Sequence, residues 1–369
     1  MKIAFDVKKL IIFTLLFFSL TACGSPSSTQ SQKTPESKGA KRLIGAVMAG
    51  SDACYNASTD VLVELAKKEG WETIKLSSDY SKEKELKNVQ ELIAKKVDAI
   101  AIITTDIKIG GECAKIANDA KIPVFFYMTM PDLANGAKAT SIVTTDWYMT
   151  GYVNGKAISE SNKNAKCALI EGGYDQGMTE MMRQGFIDGL NSVAGSKSKV
   201  VVNYSGGWMK PNAMAAMEEL LKSNIQFDTI FTGNEEMMIG AIEVLKNKNL
   251  IGKYKLYAEN GREDAGIKFI KEGLLEATAG APTTADGDVV FQLIKAHFEG
   301  KTLPYHVLNP VKLITKNNIQ DAVPWSTAEY IRLRSENKIR LDYKELEIVK
   351  EERKWSKEGN NYESVSFYK

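Results

Sequence analysis

From Arg42 onward the chain alternates short, continuously apolar runs with longer stretches whose apolar positions recur at helical spacing. The first array predicts strands at Leu43–Ala49, Glu72–Ser77, Ala99–Ile103 and Val124–Tyr127. Helices are predicted between them at Thr59–Glu69, Ser81–Lys95 and Gly111–Ala120, with Val89, Leu92 and Ile93 on one apolar face. The pattern then restarts, with strands at Lys166–Glu171, Val200–Tyr204, Thr229–Thr232 and Lys255–Ala258. Helices near Met178–Val193, Pro211–Ser223 and Met237–Lys246 separate them. A strand that is apolar at every position buries both faces, so these arrays predict parallel sheets covered by helices on both sides. The expected fold class is α/β, with two doubly wound lobes.

In such sheets ligands bind beyond the carboxyl ends of the strands. A site is therefore expected in the loops that start near Gly50, Thr104, Met128, Thr144, Gly172, Ser205, Gly233, Asn260 and Ala281.

The segment before Arg42 is of another kind. Lys2, Lys8 and Lys9 precede an apolar run from Leu10 to Leu20, which ends in Leu20-Thr21-Ala22-Cys23. The run is too short to span a bilayer, which takes roughly twenty residues, and it reads as an export signal over residues 1–22. Its ending resembles a bacterial lipobox, which implies lipidation of Cys23 and anchoring to the cell membrane outside the cytoplasm; two acyl chains anchor stably where one does not. An ordinary secretory signal with a chance cysteine is the alternative. Residues 23–40 are mostly Ser, Thr, Gln, Pro and Lys, have no large apolar side chain, and read as a linker.

Composition adds little beyond this. The 369 residues carry 48 basic and 46 acidic side chains, interspersed, so no nucleic-acid partner is expected. With Cys23 assigned to lipid, Cys54, Cys113 and Cys167 remain, too few for a disulfide framework. A Cys54–Cys113 bridge at one sheet edge is left open, and Cys167 reads as a buried small hydrophobe.

Leu43-Ile-Gly-Ala-Val-Met48, Lys68-Glu-Gly-Trp71, Ile122-Pro-Val124, Asp146 with Gly151, and Asn234-Glu-Glu-Met237 occur in one order over residues 42–314. In this the chain resembles type I periplasmic binding proteins, and within them the ribose and galactose binders of ATP-driven import systems. The resemblance implies two α/β lobes joined by three crossovers, with ligand held between them. The N-terminal lobe would hold 41–145 and 282–310, the C-terminal lobe 146–281 and 311–315. Residues 316–369 would be an extension, expected to lie on the surface without ligand contact. The resemblance also implies ABC permease subunits as partners and a monomer that closes on a carbohydrate. The alternative is a nucleoside- or signalling-sugar sensor docking on a chemoreceptor or histidine kinase.

Residue by residue, the resemblance places Ser51, Asp52 and Tyr55 in the first strand-end loop, Asp52 either bonding ligand or capping the next helix. Met128 stands where the family often has Asp, and Met182 replaces an arginine one place before Arg183, so a carboxylate–guanidinium grip on a small pentose is weakened. Asn234 and Asn260 offer amides to hydroxyls. Trp208, in a Gly-Gly-Trp-Met loop, reads as a platform, Asp146 and Trp147 begin a crossover, and Asp106, Met128, Asp175, Arg183 and Glu235 complete the expected ligand-binding set. Trp71 reads as core. Methionines near the strand ends, if they line the cleft, would give an adaptable apolar wall suited to a ligand larger than a pentose.

Only His297 and His306 occur, and neither is spaced with other ligands for a metal. Neither a Gly-x-Ser-x-Gly elbow nor a P-loop is present. An enzyme is not expected, nor a cofactor or metal.

Overall fold

A computed structural model describes residues 41–348 except 176. The expected signal, Cys23 and the linker lie outside the described residues, as does the end of the extension. The first lobe opens with β1 (Leu43–Met48), α1 (Ala53–Lys68), β2 (Glu72–Ser77), α2 (Lys82–Ala94), β3 (Ala99–Ile102), α3 (Ile107–Asp119), β4 (Val124–Tyr127) and β5 (Ser141–Thr145). The chain then enters the second lobe through α4 (Trp147–Ser161), β6 (Lys166–Glu171), α5 (Met178–Asn191), β7 (Lys199–Ser205) and α6 (Lys210–Lys222). It continues with β8 (Thr229–Thr232), α7 (Glu235–Asn247), β9 (Lys255–Asn260), α8 (Lys268–Lys271) and β10 (Ala277–Gly280). It returns through α9 (Thr283–Phe298) and β11 (His306–Asn309), crosses again to β12 (Lys312–Thr315), and ends in α10 (Thr327–Ser335) and β13 (Glu347–Ile348).

The strand order is β13-β11-β5-β4-β3-β1-β2 in one sheet and β12-β10-β9-β8-β6-β7 in the other. All pairings are parallel except those of the edge strands β12 and β13. Each sheet has an apolar cluster on either face, as continuously apolar strands require. The lobes are thus two doubly wound α/β units joined by β5–α4, β10–α9 and β11–β12.

Helix α1 begins at Ala53, six residues before the apolar periodicity suggests, because Asp52 caps it and its first turns bury the polar Ser58 and Thr59 alongside Tyr55. Helix α4 has no clear apolar stripe and was not predicted. Glycines pack it instead: a Cβ on Gly151 would lie 1.9 Å from the Met182 carbonyl of α5, and one on Gly185 1.9 Å from that of Tyr148. Close backbone approach replaces side-chain interdigitation there.

Cys54 and Cys113 are both free. They cannot bridge, because Cys54 packs with the cluster on one face of the first sheet and Cys113 in the cluster on the other. Cys167 is fully buried, and Trp71 packs against Phe291 in a tilted pair at 5.7 Å and against Phe298 edge-on at 5.6 Å.

The extension is not a surface appendage. After β12 the chain passes back to the first lobe, a fourth passage between lobes, and α10 sinks Tyr330 into the core beside α1 and α9. The Tyr330 hydroxyl donates to Asp288 Oδ2 at 3.0 Å, and Arg334 Nε donates to the same oxygen at 2.5 Å. Tyr330→Ala should therefore cost about 3–5 kcal/mol of stability in urea unfolding; a loss below about 1 kcal/mol would show that α10 is a peripheral attachment.

Candidate functional site between the strand ends

Each strand that leaves a sheet here hands the chain to a helix whose first N–H groups need acceptors. Four of the expected ligand residues fill that need. Asp52 Oδ1 accepts from the Cys54 and Tyr55 amides at 2.8 and 3.1 Å. Asp106 Oδ1 accepts from Lys108 and Ile109, Asp146 Oδ1 from Met149, and Asn234 Oδ1 from Met237. Their other polar atoms differ. Asp52 Oδ2 accepts from the Tyr80 hydroxyl at 2.6 Å and Asp106 Oδ2 from Lys82 Nζ at 2.7 Å, while Asn234 Nδ2 donates to the Trp208 carbonyl at 3.1 Å. Both ends of the Asn234 amide are thereby engaged within the protein.

The first-lobe wall carries an aromatic that the sequence reading missed. Tyr80 has a left-handed φ of 60°, is 57% exposed, and lays its ring over Gly50, where a Cβ would come within 2.4 Å of it. Partial desolvation beside the loop and the neighbouring Asp52 push its acidity well down, so it stays a neutral donor. Tyr55 is buried with its ring centroid 6.3 Å from that of Tyr80, and Ser51 is exposed beside them, its carbonyl accepting from Asn56 Nδ2. Met128, at the end of β4, holds a left-handed φ of 64° and is buried; its carbonyl accepts from Trp147 Nε1 at 3.3 Å across the β5–α4 crossover.

On the second-lobe wall Trp208, at φ 67°, lies flat across the ends of β6 and β8. A Cβ on Gly172 would fall 2.0 Å from its ring, so glycine is what lets the indole seat there half-exposed. Arg183 does not reach out freely. Its Nε and Nη2 fork the Glu171 carboxylate at 2.5 and 2.8 Å, and Nη2 also reaches the Tyr174 hydroxyl at 2.9 Å. Asp175 is exposed, and its carbonyl accepts from the Ile107 amide of the first lobe at 3.3 Å, so the two lobes touch there.

The end of β9 is acidic and dry. Glu235 is fully buried and accepts from the Gly261 and Arg262 amides and the Thr278 hydroxyl, at 2.8, 2.9 and 2.7 Å. Burial still pushes it up to about 7. With its oxygens engaged by the fold, it shapes the loop after β9 rather than facing a ligand. Asn260 holds an outlying φ of 126°, its Oδ1 3.5 Å from the Glu235 amide. Glu259 is raised well above the carboxylate range by burial and then by Glu235 and Asp286. Asp286, at the start of α9, accepts from Asn309 Nδ2 at 2.7 Å and from the Thr145 hydroxyl at 3.4 Å; burial pushes it up to about 7. Buried acids from both lobes thus meet at the crossovers.

The methionine wall is mostly core. Met178, Met181, Met182, Met237 and Met238 are buried, and Met209 is 56% exposed. A hollow of about 420 Å³ lies elsewhere, on the outer flank of the first lobe between α1, α9 and residues 341–344. It is away from every strand end. Among the described residues no three His, Cys, Asp or Glu are grouped to hold a metal ion, and no helix is long and apolar enough to cross a membrane.

Strand-end residues from two doubly wound lobes, joined by paired crossovers, are the architecture that the comparisons bear on. Residues 45–302 match the periplasmic binding protein domain. The chain belongs to the periplasmic binding protein family. The ribose import binding protein of Bacillus subtilis is 28% identical over 311 residues, 83% of this chain and 98% of that protein. The D-xylose-binding periplasmic protein of Escherichia coli is 25% identical over 285 residues, 73% of this chain and 85% of that protein. A solute binding protein of an ABC transporter from Bacillus halodurans, solved with myo-inositol, shares the fold with a TM-score of 0.70 at 20% identity, covering 76% of this chain and 96% of that one.

In this periplasmic binding protein, sequence reasoning missed Tyr80, Glu171, Tyr174, Glu259 and Asp286. Glu171 and Glu259 stand at or next to the ends of apolar strands, a visible signal; Tyr80 follows β2 by three residues and was hidden by an undistinguished Ser-Ser-Asp turn.

Asp286 gives a pH prediction. Its folded value near 7 lies above the ordinary 3.8, so its contribution is fully present below about pH 4 and is lost as pH rises through 7. Stability should decline from about pH 4 to 8, and Asp286→Asn should flatten that decline in urea midpoints. An unchanged slope would place the titration elsewhere.

Proposed function

We propose that this protein captures a carbohydrate between its lobes by hinge closure and presents it to the permease subunits of an ABC importer. What supports the reading is that aromatic and polar side chains stand at the strand ends of both lobes. Tyr55 and Tyr80 with Asp52 stand on one lobe and Trp208 with the Arg183–Glu171 pair on the other. Aromatic faces pack the C–H face of a sugar, and fixed polar groups at their edges meet its hydroxyls. The names of the relatives, ribose and xylose binders, support the same class.

Within this reading Ser51, Asp52, Tyr55, Tyr80 and Asp106 serve from the first lobe, and Asp175, Arg183, Trp208 and Asn260 from the second. Met128, Asp146 and Trp147 set the hinge, and Asn234 supports Trp208 through its carbonyl. No carboxylate follows β4, where Met128 and Thr129 stand, so recognition rests on aromatic area and single polar contacts. That favours a ligand with more apolar face than a pentose. The export signal and Cys23 make the protein a lipoprotein held at the outer side of the cell membrane, and the interspersed charge of its surface fits a monomer.

D-ribose, D-xylose, D-fructose and myo-inositol, each tested on the full chain, should include at least one that raises the melting temperature by several degrees, as ligand well above its Kd does. Trp208→Ala should weaken that ligand about tenfold or more while staying folded. No rise with any of the four would contradict the carbohydrate reading. In the source cell type, Cys23→Ser should move the protein from the membrane fraction to the soluble one; an unmoved variant would rule out the lipid anchor.

A further inference from the structure

Residues 316–326 run from β12 in the second lobe to α10 in the first, beyond the end of the family match at residue 302. Near its end the segment meets the loop after β9 and the start of α9. The Trp325 amide donates to both oxygens of Glu263, at 3.0 and 3.2 Å, and Glu263 lies three residues past the end of β9. One residue earlier, the Pro324 carbonyl accepts from the Thr284 hydroxyl at 2.9 Å, and Thr284 lies in the first turn of α9, just past the β10–α9 crossover. Trp325 is therefore clamped at the margin where the second-lobe strand ends face the first lobe.

Its indole is 7% exposed, and Nε1 has no hydrogen-bond partner among the described residues. A buried donor left without an acceptor carries a desolvation penalty that a fold normally avoids. Trp147, at the neighbouring crossover, shows the usual solution, an indole N–H on a backbone carbonyl. The Arg262 guanidinium sits 5.9 Å from the Trp325 ring centroid, held by Asp264 and Glu236. That placement takes one ring face and leaves the indole N–H, buried and unpaired, without a partner from the fold.

We infer that the extension supplies Trp325 as a ligand-contacting residue, its Nε1–H donating to a hydroxyl or ring oxygen of the bound carbohydrate. An indole N–H only donates, so the atom it meets must carry a lone pair, and the adjacent guanidinium excludes a ligand ammonium from that spot. The assignment rests on the carbohydrate reading above and adds to it a contact from outside the family domain.

The test uses the full chain with its five tryptophans labelled at the indole nitrogen, the Trp325 resonance identified by its loss in Trp325→Phe. D-ribose, D-xylose, D-fructose and myo-inositol are added in turn. The expected result is that whichever of them raises the melting temperature also moves the Trp325 N–H proton downfield, and that Trp325→Phe binds it about tenfold more weakly. A sugar that raises the melting temperature yet leaves the Trp325 resonance in place overturns this inference and leaves carbohydrate capture standing. That outcome is read on the native residue, so it holds even where the variant folds poorly. No response to any of the four, in melting or in any indole resonance, overturns carbohydrate capture and this inference together.

Discussion

A helix that starts where a parallel strand stops leaves backbone donors facing the end of the sheet, and those donors must be met before anything else can be built there. In this protein they are met by Asp52, Asp106, Asp146 and Asn234. The same requirement decides what remains for a ligand. Asp52 and Asp106 keep a second oxygen, and each gives it to a neighbour that fixes the loop, Tyr80 and Lys82. The polar groups at these strand ends are thus held in fixed orientations by the caps; in the proposed reading this lowers the ordering cost of binding.

The crossovers concentrate a second constraint. Three connections and the extension converge near the ends of β5, β9, β10 and β11, and acids from both lobes are buried among them. Burial raises Asp286 and Glu235 to about 7, and pushes Glu259 well above the carboxylate range. Neutral acids can share a dry hinge without the repulsion that charged ones would bring. The lobes also meet through the Ile107 amide and the Asp175 carbonyl.

Much of this was legible in the sequence because continuously apolar strands report their own burial. The strands predicted from Leu43 to Thr232 fall where the apolar runs place them, though β5 (Ser141–Thr145) was not among them, and the doubly wound class follows directly. What was not legible has particular physical causes. Helix α4 packs through Gly151 and against Gly185, so it carries no stripe to read. Helix α10 buries one large side chain, Tyr330, within a charged segment whose average looks solvated. At the site, capping and ligand binding draw on the same residue types, so Asp52 and Asn234 could not be divided between the roles until their hydrogen bonds were seen. Arg183 was expected to face ligand, and Glu171, at the far end of an apolar strand, proves to hold it.

Closure of two lobes around a guest is the claim on which the functional account stands. Small-angle X-ray scattering of the full chain, with and without a sugar at saturating concentration, addresses it directly. The account predicts a smaller radius of gyration and a shorter maximum dimension when the sugar is bound. Scattering curves that superimpose while calorimetry shows the sugar bound would contradict it.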